Sequence, residues 1–392
     1  TKALLTVTAD NATREYGLAN PAFTGSITGF RNGDTASVVS GLTYGSVATI
    51  ASNAGTYAIT GSGATATNYD FSYVPGTLTI TKALLTVTAD NATREYGLAN
   101  PAFTGTITGY RNGDTASVIT GLVFGSVATI ASNVGSYAIT GSGASATNYD
   151  FAYVPGTLTI TRALLTVTAD NATREYGLAN PAFTGTVTGL RNGDTASVIT
   201  GLVYGSSATS GASVGSYAIT GSGASATNYD FAYVPGTLTI TRALLTVTAD
   251  NATREYGLAN PVLTGSISGL RNGDTASVVS GLAYGTSAGT GSNVGTYAIT
   301  ASGASAANYD FAYVPGTLTI TRALLTVTAD GKVREYGLAN PALTSTISGL
   351  RNGDTASVVS GLVLATPATQ ASGVGSYAIT ASGGSAVNYD FA

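Results

Sequence analysis

Cysteine and histidine are both absent from the 392 residues. Without thiols there is no disulfide to staple a small domain. Without imidazole or thiolate there is no Ser-His-Asp or Cys-His nucleophile system and no usual zinc ligand set. Charge is scarce as well: Asp, Glu, Lys and Arg make up 9% of the chain, against about 25% in an ordinary soluble domain. With 16 cations and 20 acidic groups the net charge is −4, spread thinly along the chain. No basic face forms for a phosphate backbone or an anionic lipid surface, so nucleic-acid and membrane-surface partners are not expected. No stretch approaches the ~18 apolar residues of a membrane span, so no membrane insertion is expected in this segment. Glu15 is the only Glu of its copy, and paired-carboxylate chemistry would need Asp partners. Asp10, Asp34 and Asp70 read as turn or cap residues. The expectation is a non-enzyme with no catalytic residue, no cofactor-binding residue and no metal ligand.

What the chain does have is repetition. Thr1-Lys2-Ala3-Leu4-Leu5-Thr6-Val7-Thr8-Ala9-Asp10 returns at 81–90, 161–170, 241–250 and 321–330, with Arg in place of Lys in the last three copies. The period of 80 residues is long enough for a small self-contained domain. The units are 1–80, 81–160, 161–240, 241–320 and 321–392, the last lacking its final strand. A domain of that size buries about two-thirds of its unfolded surface, so the reading is five modestly stable beads rather than one large core. The sequence opens at a repeat start, shows no signal peptide, and stops eight residues short of a full fifth copy. It reads as a segment of something longer.

Within one copy, Leu4 to Ala9 alternates with β-branched residues and predicts a strand. Asp10 to Thr13 and Tyr16 to Pro21 are turn-rich, and Asn20-Pro21 leaves the helical region. Phe23 to Phe30 alternates again, and Arg31-Asn32-Gly33 is a turn. Asp34 to Gly41 suits a short helix with Asp34 as N-cap and Gly41 as its stop, although Val38 and Val39 pull the other way. Further strands fall at Leu42 to Tyr44, Gly55 to Thr60, Tyr69 to Tyr73 and, after the Pro75-Gly76 turn, Thr77 to Ile80. The junction Leu78 to Val87 holds neither Gly nor Pro. One extended segment therefore ends a module and begins the next, unlike a flexible or a Pro-rich linker.

Copies differ in informative places. Phe30, Tyr110, Leu190, Leu270 and Leu350 are volume-tolerant swaps of a core site. Val47 to Ser52 becomes Ser207 to Ala212 and Pro367 to Ser372, the behaviour of a surface loop.

Several pieces together resemble a known family. Leu5-Thr6-Val7-Thr8-Ala9-Asp10, Tyr16-Gly17, Asn20-Pro21 and Gly33-Asp34-Thr35-Ala36-Ser37 form the front half. Gly55-Thr56-Tyr57-Ala58-Ile59-Thr60, Asn68-Tyr69 and Gly76-Thr77-Leu78-Thr79-Ile80 form the back half. In that order and spacing they resemble the MBG repeats of large bacterial adhesins, including filamentous-haemagglutinin-like secreted proteins. The resemblance implies a small, mostly-β module, β-grasp-like with one short helix, repeated as a stalk of an extracellular, cell-surface or matrix adhesin. Its implied partners are the neighbouring repeats and, through flanking domains, cell-surface or matrix polysaccharide. It brings no catalytic residues and no cofactor. Copy five departs from the pattern, with Gly331-Lys332-Val333 in place of Asn-Ala-Thr.

Some binding readings compete with the bland ones. A calcium site would have to gather Asp10, Asn11 and Asp70, against solvated turn carboxylates. Gly61-Ser62-Gly63 lacks the Gly-Lys-Ser/Thr of a phosphate loop and reads as a turn. Tyr16, Tyr44, Tyr57, Tyr69 and Tyr73 could stack on sugars, which would make the array a multivalent glycan or mucin binder, yet their alternation points to packing. Asn11-Ala12-Thr13 is a glycosylation sequon, repeated at Asn91, Asn171 and Asn251, and otherwise an Asx turn closing a hairpin. Lysine occurs only at Lys2, Lys82 and Lys332, too few for a Lys–Asn cross-link in every module.

The Gly- and Pro-free connectors predict a stiff, elongated rod. A compact 80-residue unit is about 30 Å across, so five reach roughly 150–200 Å. Small-angle scattering should give that maximum dimension; a collapsed or freely jointed particle refutes it.

Overall fold

The computed structural model describes all of residues 1–392. The chain divides into two compact units, one of Thr1–Val167, Val187–Val203 and Ser222–Tyr233, the other of Thr168–Thr186, Tyr204–Gly221 and Val234–Ala392. The same module recurs in both, and its first copy shows how the residues build it.

The alternation of the opening segment produces β1 (Ala3–Ala9), with Leu5, Val7 and Ala9 buried and Leu4 exposed. Then comes β2 (Ala12–Glu15), a short strand in a stretch whose Asp and Asn had suggested only a turn. Strand β3 (Gly25–Thr28) is shorter than the alternation of 23–30 suggested. Strands β4 (Thr43–Ser46), β5 (Gly55–Ser62), β6 (Tyr69–Val74) and β7 (Gly76–Thr81) lie where the pattern placed them.

These strands form two sheets. One has the order β3-β1-β6, with β1 antiparallel to β3 and parallel to β6. The other has the order β2-β7-β5-β4, with β2 parallel to β7 and the remaining pairs antiparallel. The chain changes sheet at Asp10-Asn11 and at Pro75, a residue with no N–H to leave unpaired. Asn11 does not close a hairpin, because β1 and β2 belong to different sheets. Its Oδ1 instead accepts from the Thr77 N–H at 2.8 Å. The sheets meet through aromatic rings laid on glycines. A Cβ at Gly25 would lie 2.6 Å from the Tyr44 ring, and one at Gly61 would lie 3.0 Å from Tyr73. The Gly61-Ser62 end of the supposed phosphate loop is thus the end of β5, packed under an aromatic ring.

The expected helix shrinks to a single 3-10 turn, Ala36–Val38, that buries no residue. Val39 is already extended, as β-branched residues in succession favour, and Ser40 bridges to Thr65. No helix covers a sheet, so the module is mostly β as expected but is two facing sheets rather than a β-grasp.

The loop after β4 is held by a buried arginine. Arg14 donates from Nε to the Asn20 side chain at 2.7 Å, from Nη1 to the Glu15 carbonyl at 3.2 Å and from Nη2 to the Thr49 carbonyl. Asn20 in turn donates to the Ala48 carbonyl, and Ala48 is buried. A desolvated guanidinium needs such acceptors. Because the loop is gripped by its carbonyls, its outward side chains can vary while its path does not.

Only Lys82 separates β7 from β8 (Ala83–Ala89), so one extended segment does join the modules. Buried residues fall at Leu78 and Ile80 and then at Ala83, Leu85 and Val87. The phase of the alternation shifts by one at the exposed pair Thr81-Lys82. Both sides feed one cluster: Ala9, Tyr16, Ala48, Ile59, Leu78 and Ile80 of copy one with Ala83, Leu85 and Tyr149 of copy two. The first unit holds a second such cluster, from Ala89 to Tyr229, and the second unit holds two more. The beads therefore share cores with their neighbours.

Removing the clamp should release the loop. Arg94→Ala strands the carbonyls of Thr129 and Glu95, and should cost about 2–4 kcal/mol. Denaturant unfolding should show that loss, and thermolysin should then cut at the exposed Val127 and Ile130; an unchanged midpoint would refute the clamp.

Candidate functional site: the contact between neighbouring modules

The residues with the richest side-chain chemistry gather where one copy meets the next. Tyr16 follows β2, and Gly17 turns the chain with φ +76°, a left-handed conformation suited to glycine. A Cβ there would also stand 2.5 Å from Cβ of Arg111 in the next copy. From the second copy come the Arg111 to Asp114 turn and Tyr149 at the start of a strand. The turn closes through the Asp114 N–H to the Arg111 carbonyl, with Asn112 at φ +54° and Gly113 at φ +78°, the geometry for which Asn-Gly is favoured.

Across this boundary the Tyr16 and Tyr149 rings meet edge to face, 5.5 Å apart at 80°. Both are buried. The Asp114 carboxylate accepts from both hydroxyls, at 3.0 Å from Tyr16 and 2.7 Å from Tyr149. The Tyr149 hydroxyl also accepts from the Arg111 N–H at 2.9 Å. Arg111 pairs with Glu15 of the preceding copy at 2.8 Å. Asn148 completes the contact, accepting from the Ala54 N–H and donating to Asn53, each at 2.9 Å. The arrangement recurs as Tyr96 with Tyr229, Tyr176 with Tyr309 and Tyr256 with Tyr389. Glu95–Arg191, Glu175–Arg271 and Glu255–Arg351 repeat the ion pair at 2.7 Å.

Magnitudes separate the roles. A buried tyrosine removes about 150–250 Å² from water at about 25 cal/mol per Å², so the ring pair stabilises by several kcal/mol. The ion pair is more than a third exposed on both sides and contributes about 0.2–1 kcal/mol. The rings hold the modules together, and the charges set their register.

Burial raises the Tyr149 phenol to about 12, against the smaller lowering by the Arg111 N–H, and the Asp114 hydrogen bond and charge add to the rise. Burial likewise takes Tyr229 to about 12, reinforced by Asp194.

The other residues singled out from the sequence are dispersed. Asp10 follows β1 and accepts from Thr24, while Asp70 pairs with Leu4 at the other end of that strand. Six strand residues, about 20 Å, separate them, so Asp10, Asn11 and Asp70 do not share one ion. Asp70-type carboxylates sit on a strand rather than a turn and meet the connector cation, as in Arg162–Asp230 at 3.3 Å. Asp34 accepts from the Tyr69 hydroxyl at 2.8 Å rather than capping a helix. Tyr57 donates to the Asn53 carbonyl, Tyr44 lies on Gly25, and Tyr73 lies on Gly61. Position 30 is half-buried at the module contact, where Tyr110 and Leu190 pack on the shared clusters. Glu15, Arg111, Asp114 and Asn148 were missed as a group. The available signal was their survival in every copy of a chain so poor in charge.

Tyr96→Ala should destabilise the chain by about 3–5 kcal/mol and Glu95→Gln by less than about 1 kcal/mol. Urea unfolding ranks the two, and equal effects would refute the division of roles. Alkali should act through the same rings. The unfolded chain releases a phenol proton near pH 10 and the folded one near 12, so between those values the unfolded state holds fewer protons and stability falls as pH rises. The contribution, on the order of 2 kcal/mol per ring, is complete below pH 10 and lost above 12. Tyr149→Phe with Tyr229→Phe should flatten that fall; an unaltered alkaline limb in stability against pH would refute it.

The MBG domain (YGX type) matches the chain at residues 5–79, 85–159, 165–239, 245–319 and 325–392. Each match contains the Tyr-Gly pair of the module contact. No curated protein matches. Among solved structures the chain is similar to Sidekick-1 immunoglobulin domains 1–5, at 11% identity over 81% of each chain with a TM-score of 0.25. It is also similar to Drosophila N-cadherin EC1-4, at 8% identity over 68% of this chain and 83% of that one, with a TM-score of 0.22. A third is the I9–I11 tandem from titin, at 12% identity over 60% of this chain and 98% of that one, with a TM-score of 0.19. Likeness at these scores carries no argument about fold or function. The five family matches span nearly all of every copy, and the chain belongs to the MBG domain (YGX type) family as five tandem members.

Proposed function

We propose that this array is a structural stalk of a bacterial extracellular adhesin, a spacer that projects a distal binding domain for cell adhesion or for a biofilm matrix. The observation that carries this reading is the repeated contact between modules. The best-built constellation of each copy, Tyr16 to Gly17 with Arg111, Asp114 and Tyr149, is spent on joining neighbours. Sparse charge suits a surface outside a cell, with few sites for trypsin-like proteases. Polysaccharide partners, in this reading, are met by flanking domains rather than by the array. An enzyme reading has no constellation of residues to rest on. The competing reading, a multivalent glycan or mucin binder, needs ring faces offered to a ligand, whereas the tyrosines considered for it are engaged in packing or backbone hydrogen bonds.

The stalk reading predicts mechanical behaviour. Unfolding one 80-residue module at ~3.4 Å per extended residue gives about 270 Å of chain, a gain of more than about 200 Å per event. Pulling the purified array should give rupture peaks at that spacing, and deleting two modules in frame should shorten reach in cells while leaving target affinity unchanged. Micromolar binding of the isolated array to glycans or mucin would replace the stalk with the avidity reading.

A further inference from the structure

Tension along the chain enters a copy at its first strand and leaves by its last, because Lys82 alone separates β7 from β8. Only Asp10 and Asn11 lie between β1 and β2, and only Pro75 between β6 and β7. The entry of the module is thus β1 with β2, and its exit is β6 with β7. Entry and exit are neighbours in both sheets. In one, β1 lies parallel to β6 over six facing pairs, from Ala3 with Tyr69 to Thr8 with Val74. In the other, β2 lies parallel to β7 over four, from Ala12 with Leu78 to Glu15 with Thr81. Backbone bonds extend both ladders: the Ala3 N–H donates to the Asn68 carbonyl at 3.0 Å, and the Tyr16 N–H to the Thr81 carbonyl at 2.9 Å. Where the chain changes sheet, Asn11 carries the pairing across, its Oδ1 accepting from the Thr77 N–H at 2.8 Å. Copy two repeats each part, with Asn91 on Thr157 at 2.7 Å.

We propose that these two parallel pairs form a shear clamp, the mechanical lock of the module, and that Asn11 and its equivalents belong to it. Opposite pulls on Ala3 and Thr81 drag parallel neighbours past each other along the strand axis, so the ladder bonds of both sheets are loaded together. An antiparallel ladder pulled apart at one end opens one bond at a time instead. Each bond contributes only modestly on its own, so resistance depends on sharing the load. The next copy braces the exit end of the clamp. Tyr16, whose N–H holds Thr81, is the ring that packs on Tyr149, and Glu15 beside it pairs with Arg111. Asn11 supplies only an acceptor to the clamp, a part that Asp can play and Ala cannot. The inference deepens the stalk reading and rests on it only for the source of the tension.

The chain has no cysteine, so thiol handles for single-molecule pulling can be placed at chosen points of the whole chain. Lys82→Cys with Arg162→Cys loads copy two along its own entry and exit. Ala131→Cys with Arg162→Cys draws the end of Gly156–Thr161 away from the start of Gly135–Ser142, where Gly135 faces Ile160 in an antiparallel pair, and so peels that ladder. All three positions are exposed. At one loading rate the first geometry should rupture at a force at least about twice that of the second, since forced unfolding follows the barrier crossed. Asn91→Ala should lower the first force and leave the second unchanged, while Asn91→Asp should keep the first. Equal forces in the two geometries would overturn the clamp. An Asn91→Ala chain as strong as its parent, or weakened alike in both geometries, would overturn the part given to Asn91. Glycan or mucin binding by the array would overturn the stalk and leave the force ratio as it is.

Discussion

A module of this size hides a smaller share of its surface than a large domain does, which limits the stability it reaches alone. The contact between copies relieves that limit. Tyr16 is buried with Tyr149 of the next copy standing against it, and Ala83 and Leu85 complete a cluster whose larger part lies in the copy before. The tyrosine at this position is buried jointly by its own copy and by the next one.

The few charges are used with corresponding care. In a chain with 9% charged residues, Arg14 is buried and fixes a loop through carbonyl oxygens. Arg111 and Glu15 bind one copy to another, and Asp114 receives two tyrosine hydroxyls. Half-exposed pairs add little energy but penalise a wrong alignment, since a slipped register would leave Asp114 facing a desolvated phenol without its hydrogen bond. The loop held by Arg14 explains why Val47 to Ser52 tolerates exchange for Ser, Gly or Pro. What is bonded there is main chain, which every sequence provides.

The connector links these two scales. With Lys82 alone between β7 and β8, the chain has no room for a flexible hinge, and the cation at this position meets the strand carboxylate of its own copy, as Arg242 meets Asp310. Lys and Arg interchange there because an exposed ion pair needs only a positive charge within reach.

Much of this was legible in the residues. Period-2 alternation over Leu4 to Ala9 and Tyr69 to Tyr73 reports a buried face directly, and an 80-residue repeat with strand-like joints announces a tandem β array. Local signals decided the strands, the Asn-Gly turn and the unbroken connector. They could not decide pairing. That β2 exists at all depends on β7, which lies more than 60 residues away and lends Ala12 to Glu15 a parallel partner; from the sequence alone, Asp10 to Thr13 reads as turn-rich. The helix suggested by Asp34 and Gly41 was lost to Ser40 bridging Thr65 and to Asp34 bonding Tyr69. Tyr16, Arg111, Asp114 and Tyr149 span more than 130 positions, and no spacing rule connects them. The sequence by itself determined which residues turn inward, because a strand alternates its faces whatever it pairs with. Only the tertiary structure decided which copy supplies the inside, because burial belongs to the contact between neighbours and not to either chain segment alone.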